Sequence, residues 1–180
     1  KYDGKCSELY ISTKTNISYL NNNCINIKDI FWKIPIIKYH TPENGVIKKQ
    51  IKYSSTSPDE VSYISEQLKD TECYEEQIIE HIENPDGRIK YKDQRKISIG
   101  VCKKDILSYR SKKKRAFFNC FVVIMRLLHN NEYKEVHLKV FNTGKLEIPG
   151  IQNDELLYNI NSLNNLSHLY NIVCLQLDTH

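Results

Sequence analysis

Residues 113–150, KKRAFFNCFVVIMRLLHNNEYKEVHLKVFNTGKLEIPG, constrain the fold more than any other part of the chain. An apolar run over 116–128 meets the polar turn His129-Asn130-Asn131. An alternating run over 135–141 follows and meets the turn Asn142-Thr143-Gly144, and a short run over 145–148 is stopped by Pro149-Gly150. Asn and Gly turn residues between β-branched and aromatic runs are the signature of antiparallel strands, because those turns need positive φ. The stretch therefore predicts three strands in one antiparallel sheet.

Period-two alternation divides this sheet into two faces. Val136, Leu138 and Val140 point to a core, while Glu135, His137, Lys139 and Phe141 point away from it. The matching register in the preceding strand sends Phe117, Phe121, Val123 and Met125 inward. It leaves Phe118, Cys120, Val122, Ile124 and Arg126 on the open face with Phe141. A sheet face that mixes Phe, Ile and Val with Lys and Arg is costly to leave bare, and such patches mark interaction sites.

The chain's 180 residues suffice for one domain with an elaborated insertion and a sizeable core. No apolar run approaches the ~18 residues that span a bilayer, and the N-terminus lacks a basic-then-apolar signal pattern, so a membrane role is set aside. The chain starts at Lys1 rather than Met and reads as a piece of a longer protein. Cys6, Cys24, Cys73, Cys102, Cys120 and Cys174 form no CxxC pair, and read as reduced thiols of an intracellular protein. A net charge of +4 permits nucleic acid without requiring it.

Before the anchor, 7–17 reads as a strand, and Asn21-Asn22-Asn23 as a turn. Asn26 caps a short helix with Ile27, Ile30, Phe31 and Ile34 on its apolar side, ended by Pro35. Residues 36–53 predict a hairpin around Pro42-Glu43-Asn44-Gly45. Ser57-Pro58-Asp59-Glu60 starts a helix that ends near Lys69. An acidic helix is expected over 73–83, either a solvated face or a dock for a basic partner, and a second hairpin over 88–101 around Asp93-Gln94. Residues 102–115 carry Lys103, Lys104, Arg110, Lys112, Lys113, Lys114 and Arg115 against Asp105 alone. Such a run is either a solvated face or a nucleic-acid contact. After the anchor, Asn153-Asp154-Glu155 starts a helix with Leu156, Leu157, Ile160 and Leu163 on one side, and 171–178 closes as a strand.

No nucleophile, base and orienting group stand at catalytic spacing and no glycine loop cradles phosphate, so an enzyme, a cofactor and a metal are not expected. Three stretches carry a family likeness: YIST at 10–13, VIMR at 123–126 and VFNTGKLEIPG at 140–150. Together with the order strand, short helix, antiparallel sheet, helix, they resemble one lobe of the TATA-box-binding protein saddle, in the divergent form found in large DNA viruses. The resemblance implies an α+β fold: a curved antiparallel sheet with helices packed on its convex face. It assigns 1–43 and 113–170 to the lobe and 44–112 to an α+β insertion, with 171–180 leading to a second lobe or two copies pairing.

The resemblance also implies a function. In that family the concave sheet lies on a widened minor groove, and aromatic wedges kink the DNA. Phe141 matches one wedge; Cys120 stands at the other, with Phe118 beside it as a substitute. Ile11 and Thr13 match groove contacts on the first strand, and Arg126 and Lys145 match phosphate contacts. Val122, Ile124, His137, Lys139 and Thr143 complete the implied DNA-binding set. Glu147 and Pro149 depart from the family pattern. A carboxylate there repels phosphate and reads no A·T acceptor, so DNA binding is expected without strict TATA preference. The implied partners are double-stranded, AT-rich DNA and transcription factors or RNA polymerase subunits, in the nucleus or a viral factory. The alternative is a module of the same fold that binds no DNA and recruits transcription machinery.

Overall fold

The computed structural model describes residues 11–20, 24–108 and 117–151. Along them run β1 (Thr15–Tyr19), α1 (Ile27–Lys33), β2 (Gly45–Ser55), α2 (Pro58–Lys69), β3 (Tyr74–Glu83), β4 (Tyr91–Gly100), α3 (Lys103–Leu107), β5 (Cys120–His129), β6 (Glu132–Phe141) and β7 (Lys145–Pro149). The strands form one curved antiparallel sheet in the order β1-β7-β6-β5-β2-β4-β3, giving an α+β fold.

The anchor folds as its turns dictate. Asn130 and Asn131 both take positive φ, 50° and 61°, as a two-residue hairpin turn between β5 and β6 needs. Gly144, at φ 76°, closes the next hairpin, and its amide donates to the Phe141 carbonyl at 3.0 Å. The three strands are Cys120–His129, Glu132–Phe141 and Lys145–Pro149, against expected runs of 116–128, 135–141 and 145–148. Phe117 falls before β5, exposed rather than inward.

One face of the sheet carries the main core. Phe121, Val123, Met125 and Leu127 of β5, Val136, Leu138 and Val140 of β6 and Leu146 and Ile148 of β7 are buried there, as are Ile51, Tyr53, Ile97 and Ile99. Helix α1 lays Ile27, Ile30 and Phe31 on them, and α2 adds Ile64 and Leu68. Phe31 and Phe121 meet edge to face with ring centroids 6.2 Å apart. Each such side chain contributes about 1.5–3 kcal/mol by leaving water. The Asn26 side chain accepts from the Asp29 amide as the cap of α1, and Pro58 opens α2, both as expected.

Four expectations are corrected. The first strand is Thr15–Tyr19, not 7–17: Ile11 and Thr13 lie before it, and residues 1–10 fall outside the described residues. Residues 36–53 make no hairpin ladder: a single bond, from the Ile37 amide to the Val46 carbonyl at 2.8 Å, joins the two arms, and β2 runs as one strand from Gly45 between β4 and β5. The acidic stretch over 73–83 is strand β3, not a helix. Its acids meet β4 cations across the ladder, Glu76 with Arg95 at 2.6 Å and Glu80 with Lys92 at 2.7 Å, and pairing overrides local propensity. Asp93 and Gln94 lie inside β4, and the reversal falls on residues 84–90, where the Asn84 amide donates to Lys90 and that of Gly87 to Asn84.

The stretch 44–112 joins the anchor sheet directly, through β2 against β5. Bulges between Val46 and Lys48 and between Ile78 and Glu80 bend its strands. Gly100, at φ 86°, lies so close to β2 that a Cβ there would stand 2.1 Å from the Ile47 carbonyl oxygen. The helix expected from Asn153, the strand over 171–178 and the basic residues Arg110 and Lys112–Arg115 lie outside the described residues.

Candidate nucleic-acid interface

The face opposite the main core is built in rows by the strand register. One row runs across all seven strands: Ile17, Glu147, Lys139, Val122, Gln50, Ser98 and Glu75. In the next row Tyr19 faces Lys145, Phe141 faces Cys120, and Lys52 faces Lys96, which faces Gln77. Continuing each ladder by one pair sets Lys145 beside Phe141 and Cys120 beside Lys52. This second row therefore sets Lys145 between the rings of Tyr19 and Phe141, and Lys52 and Lys96 side by side beyond Cys120.

Two cation–ring contacts fix its chemistry. The Lys52 ammonium stands 3.9 Å from the centre of the Phe118 ring, and that of Lys145 5.4 Å from the centre of Phe141. Each holds a cation beside an aromatic surface, worth about 0.5–1 kcal/mol where water still reaches it. Phe118 is 40% exposed and Tyr19 69% exposed, large fractions for aromatic rings. Flat rings beside ammonium groups offer what a nucleic acid needs: a surface for base or sugar and a charge for phosphate.

Glu147 is not a lone carboxylate on this face. Lys145 lies 2.7 Å from one of its oxygens and Lys139 3.3 Å from the other. The Lys145 hydrogen bond, with that of Lys139, holds the Glu147 carboxyl below its ordinary range, and Glu147 in turn raises Lys145. The triad carries one net positive charge, so the repulsion of phosphate expected from Glu147 is offset. The Cys120 thiol is buried against Phe141, and its burial raises its pKa.

The register brings Cys120, Val122, Lys139, Phe141 and Lys145 together, with Phe118 adjoining them and His137 one row further on beside Ile124. Thr143 is exposed in the β6–β7 turn. Three expected open-face residues are buried, Cys120 at 6% exposure, Ile124 and Arg126. Ile124 lies under Ile37, Tyr39 and Cys102, sealed into a second small core with Ile47. Arg126 is 7% exposed and turns its guanidinium onto the carbonyls of Tyr39, Thr41 and Glu43. It is a clamp on the segment before β2 and presents no open fork to a phosphate, because Nε and both Nη atoms already donate to carbonyls and the side chain is buried. Ile11 and Thr13, exposed ahead of β1, are not part of the ladder.

The face is thus half covered. Over the β2–β5 end lie residues 37–39 and α3, which is tied down where Lys48 meets Asp105 at 2.7 Å and where the Glu135 carboxylate accepts from the Lys103 amide at 2.8 Å. The Cys102 side chain and amide and Lys48 converge on Asp105 and together hold its pKa down against the upward push of burial. The other end, from Tyr19 to Lys96, carries the cation–ring contacts. Lys52, Lys96, Tyr19 and Gln50 had no place in the sequence-derived set. The signal for Gln50 and Lys52 was the alternation KKQIKYSS over 48–55, hidden by reading that stretch as half a hairpin.

Among the described residues no group of three or more His, Cys, Asp or Glu is placed to hold a metal ion, and no helix is long and apolar enough to cross a membrane. No protein-family model, curated protein or solved structure matches the chain, so the reading of this face rests on its own rows of lysine and aromatic side chains.

Proposed function

We propose that the open half of the sheet binds double-stranded DNA, and that the protein is a transcription initiation factor of the TATA-box-binding kind. It acts by phosphate contacts and deformation of the duplex, without a cofactor. The observation that carries this reading is the row Tyr19, Lys145, Phe141, Cys120, Lys52, Lys96, with Lys145 over Phe141 and Lys52 over Phe118. Phe141 and Phe118 are the wedges and Lys52, Lys96, Lys139 and Lys145 the phosphate partners. The order of strand, short capped helix and antiparallel strands also agrees with the family likeness.

Paired to two lysines, Glu147 contributes neither strong repulsion nor base reading. The face then recognises the deformability of AT-rich DNA rather than base edges. The test is fluorescence anisotropy with AT-rich and random duplexes across a salt series, coupled to end-to-end energy transfer that reports bending. Binding should weaken steeply with salt, bending should accompany it, and Phe141→Ala should reduce bending more than affinity. Absence of binding to either duplex at low salt overturns the reading and leaves the protein-interaction module in its place.

A further inference from the structure

The edge of the sheet made by β3 has a chemistry that DNA binding does not use. Among the described residues β3 pairs with β4 alone, which leaves one side of a ten-residue strand open. The Gly100 amide donates to the Cys73 carbonyl at 2.8 Å and the Asn84 amide to the Lys90 carbonyl at 2.9 Å. Antiparallel alternation from these two bonds turns the backbone groups of Glu75 and Gln77 toward β4, and those of Tyr74, Glu76 and Ile78 outward. Beyond the bulge at Ile79, His81 and Glu83 turn outward as well.

Unpaired strand edges are normally guarded by lysine or proline, which repel or block an added strand. β3, YEEQIIEHIE, has neither. Instead it exposes Tyr74, Ile78 and Ile79, by 48%, 59% and 43%. Its charge has one sign: Glu75, Glu76, Glu80 and Glu83, with no Lys or Arg. A second copy of β3 would set these glutamates against one another, and like charges across a ladder destabilise it. The strand already on its other side shows what it accepts. β4, YKDQRKISIG, carries three basic residues and two isoleucines, and its Lys92 and Arg95 pair with Glu80 and Glu76.

We propose that the outer edge of β3 takes an extended basic segment of a partner protein as an eighth strand, one in which Lys or Arg alternates with β-branched residues. Backbone hydrogen bonds supply the affinity. Glu75 and Glu83, outside the Glu76–Arg95 and Glu80–Lys92 pairs, select the sequence together with Tyr74 and Ile78, as in other strand-addition modes. This edge adjoins the lysine and aromatic row at Gln77 but uses none of its lysines or rings, so the proposal does not depend on DNA binding.

The test uses the whole chain and three capped synthetic peptides: one alternating Lys with Val and Thr, one with Glu in place of Lys, and one Lys peptide with prolines at alternate positions. Amide exchange by NMR should show protection of Tyr74, Glu76 and Ile78 with the first peptide only. Ile78→Pro removes an outward N–H and no bond to β4, and should weaken binding about tenfold or more, since one hydrogen bond and one apolar contact are lost. Glu75→Lys, which leaves every outward amide in place, should weaken it too, and it decides the matter if the proline variant does not fold. Equal binding of the proline-bearing peptide reduces the effect to charge and overturns the proposal, as does absence of protection at those amides. A dimer in sedimentation that Ile78→Pro or Glu75→Lys dissociates overturns it as well, by giving the edge to a second copy.

Discussion

The ammonium of Lys49, on β2, donates to the carbonyl of Ile34 at 2.8 Å, inside the main core and just past the last turn of α1. It also donates to Phe31 at 2.8 Å and Trp32 at 3.4 Å, so a single side chain from the sheet satisfies the orphan carbonyls at that helix end. The positive charge complements the negative end of the helix dipole.

Lys49→Met should therefore cost about 2–4 kcal/mol, because it strands buried carbonyls that no water reaches. Burial lowers the Lys49 pKa from 10.5 to about 8. Between those values the unfolded chain holds a proton that the folded chain has released, so stability rises with pH across that window and has no Lys49 slope below it. Urea denaturation at pH 7, 8, 9 and 10 should show wild type gaining on Lys49→Met above pH 8, by at most about 1.4 kcal/mol per unit.

Arg126 should prove to be a stability residue. Its guanidinium donates to Tyr39, Thr41 and Glu43 and lies 5.7 Å and 5.0 Å from the ring centres of Tyr39 and Tyr133. Arg126→Lys keeps the charge and loses the fork, and should cost about 1.5–3 kcal/mol in a denaturant titration. The folded variant should bind DNA with the salt slope of wild type. A slope lower by about one would mean that Arg126 meets phosphate after all.

Glu147→Gln should release Lys139 and Lys145 from their shared carboxylate. DNA affinity should rise and its salt slope should steepen by about one phosphate contact. A fall in affinity would give Glu147 a contact of its own.

Asp93, fully buried, holds Arg95 through two bonds of 2.6 and 2.7 Å and lies 2.9 Å from His81 Nδ1. The Arg95 bonds, with His81, keep its carboxyl below the ordinary 3.8 despite burial. A depressed carboxyl stabilises the fold above its unfolded pKa and loses that contribution as pH falls through the folded value. Asp93→Asn should cost about 3 kcal/mol at neutral pH, by leaving Arg95 buried with half its partners. The variant's stability should also fall less steeply than wild type below pH 4. Fluorescence of Trp32, the one tryptophan of the chain, reports both.

The sequence by itself determined the anchor, because its information is local. Asn130, Asn131 and Gly144 set the turns, and period two set the faces, so Val136, Leu138 and Val140 are buried as read. Asn26 and Pro58 likewise announced α1 and α2 from within one turn of each helix. Sequence reasoning failed where pairing decides. The stretch 73–83 has the composition of a solvated helix and became a strand because Arg95 and Lys92 on β4 face its glutamates. The Asp93-Gln94 step resembles a turn until a buried arginine claims the carboxylate.

Only the tertiary structure decided which half of the outer face stays open. Arg126 and Ile124 have the same alternation as Val122 and Cys120, and nothing in their neighbourhood marks them for burial. What buries them is the segment around Tyr39, 87 residues from Arg126 along the chain, and Cys102 ahead of α3. A period reports which way a side chain points. Whether another part of the chain then covers it depends on long-range contacts, and their geometry exists only once the sheet has closed.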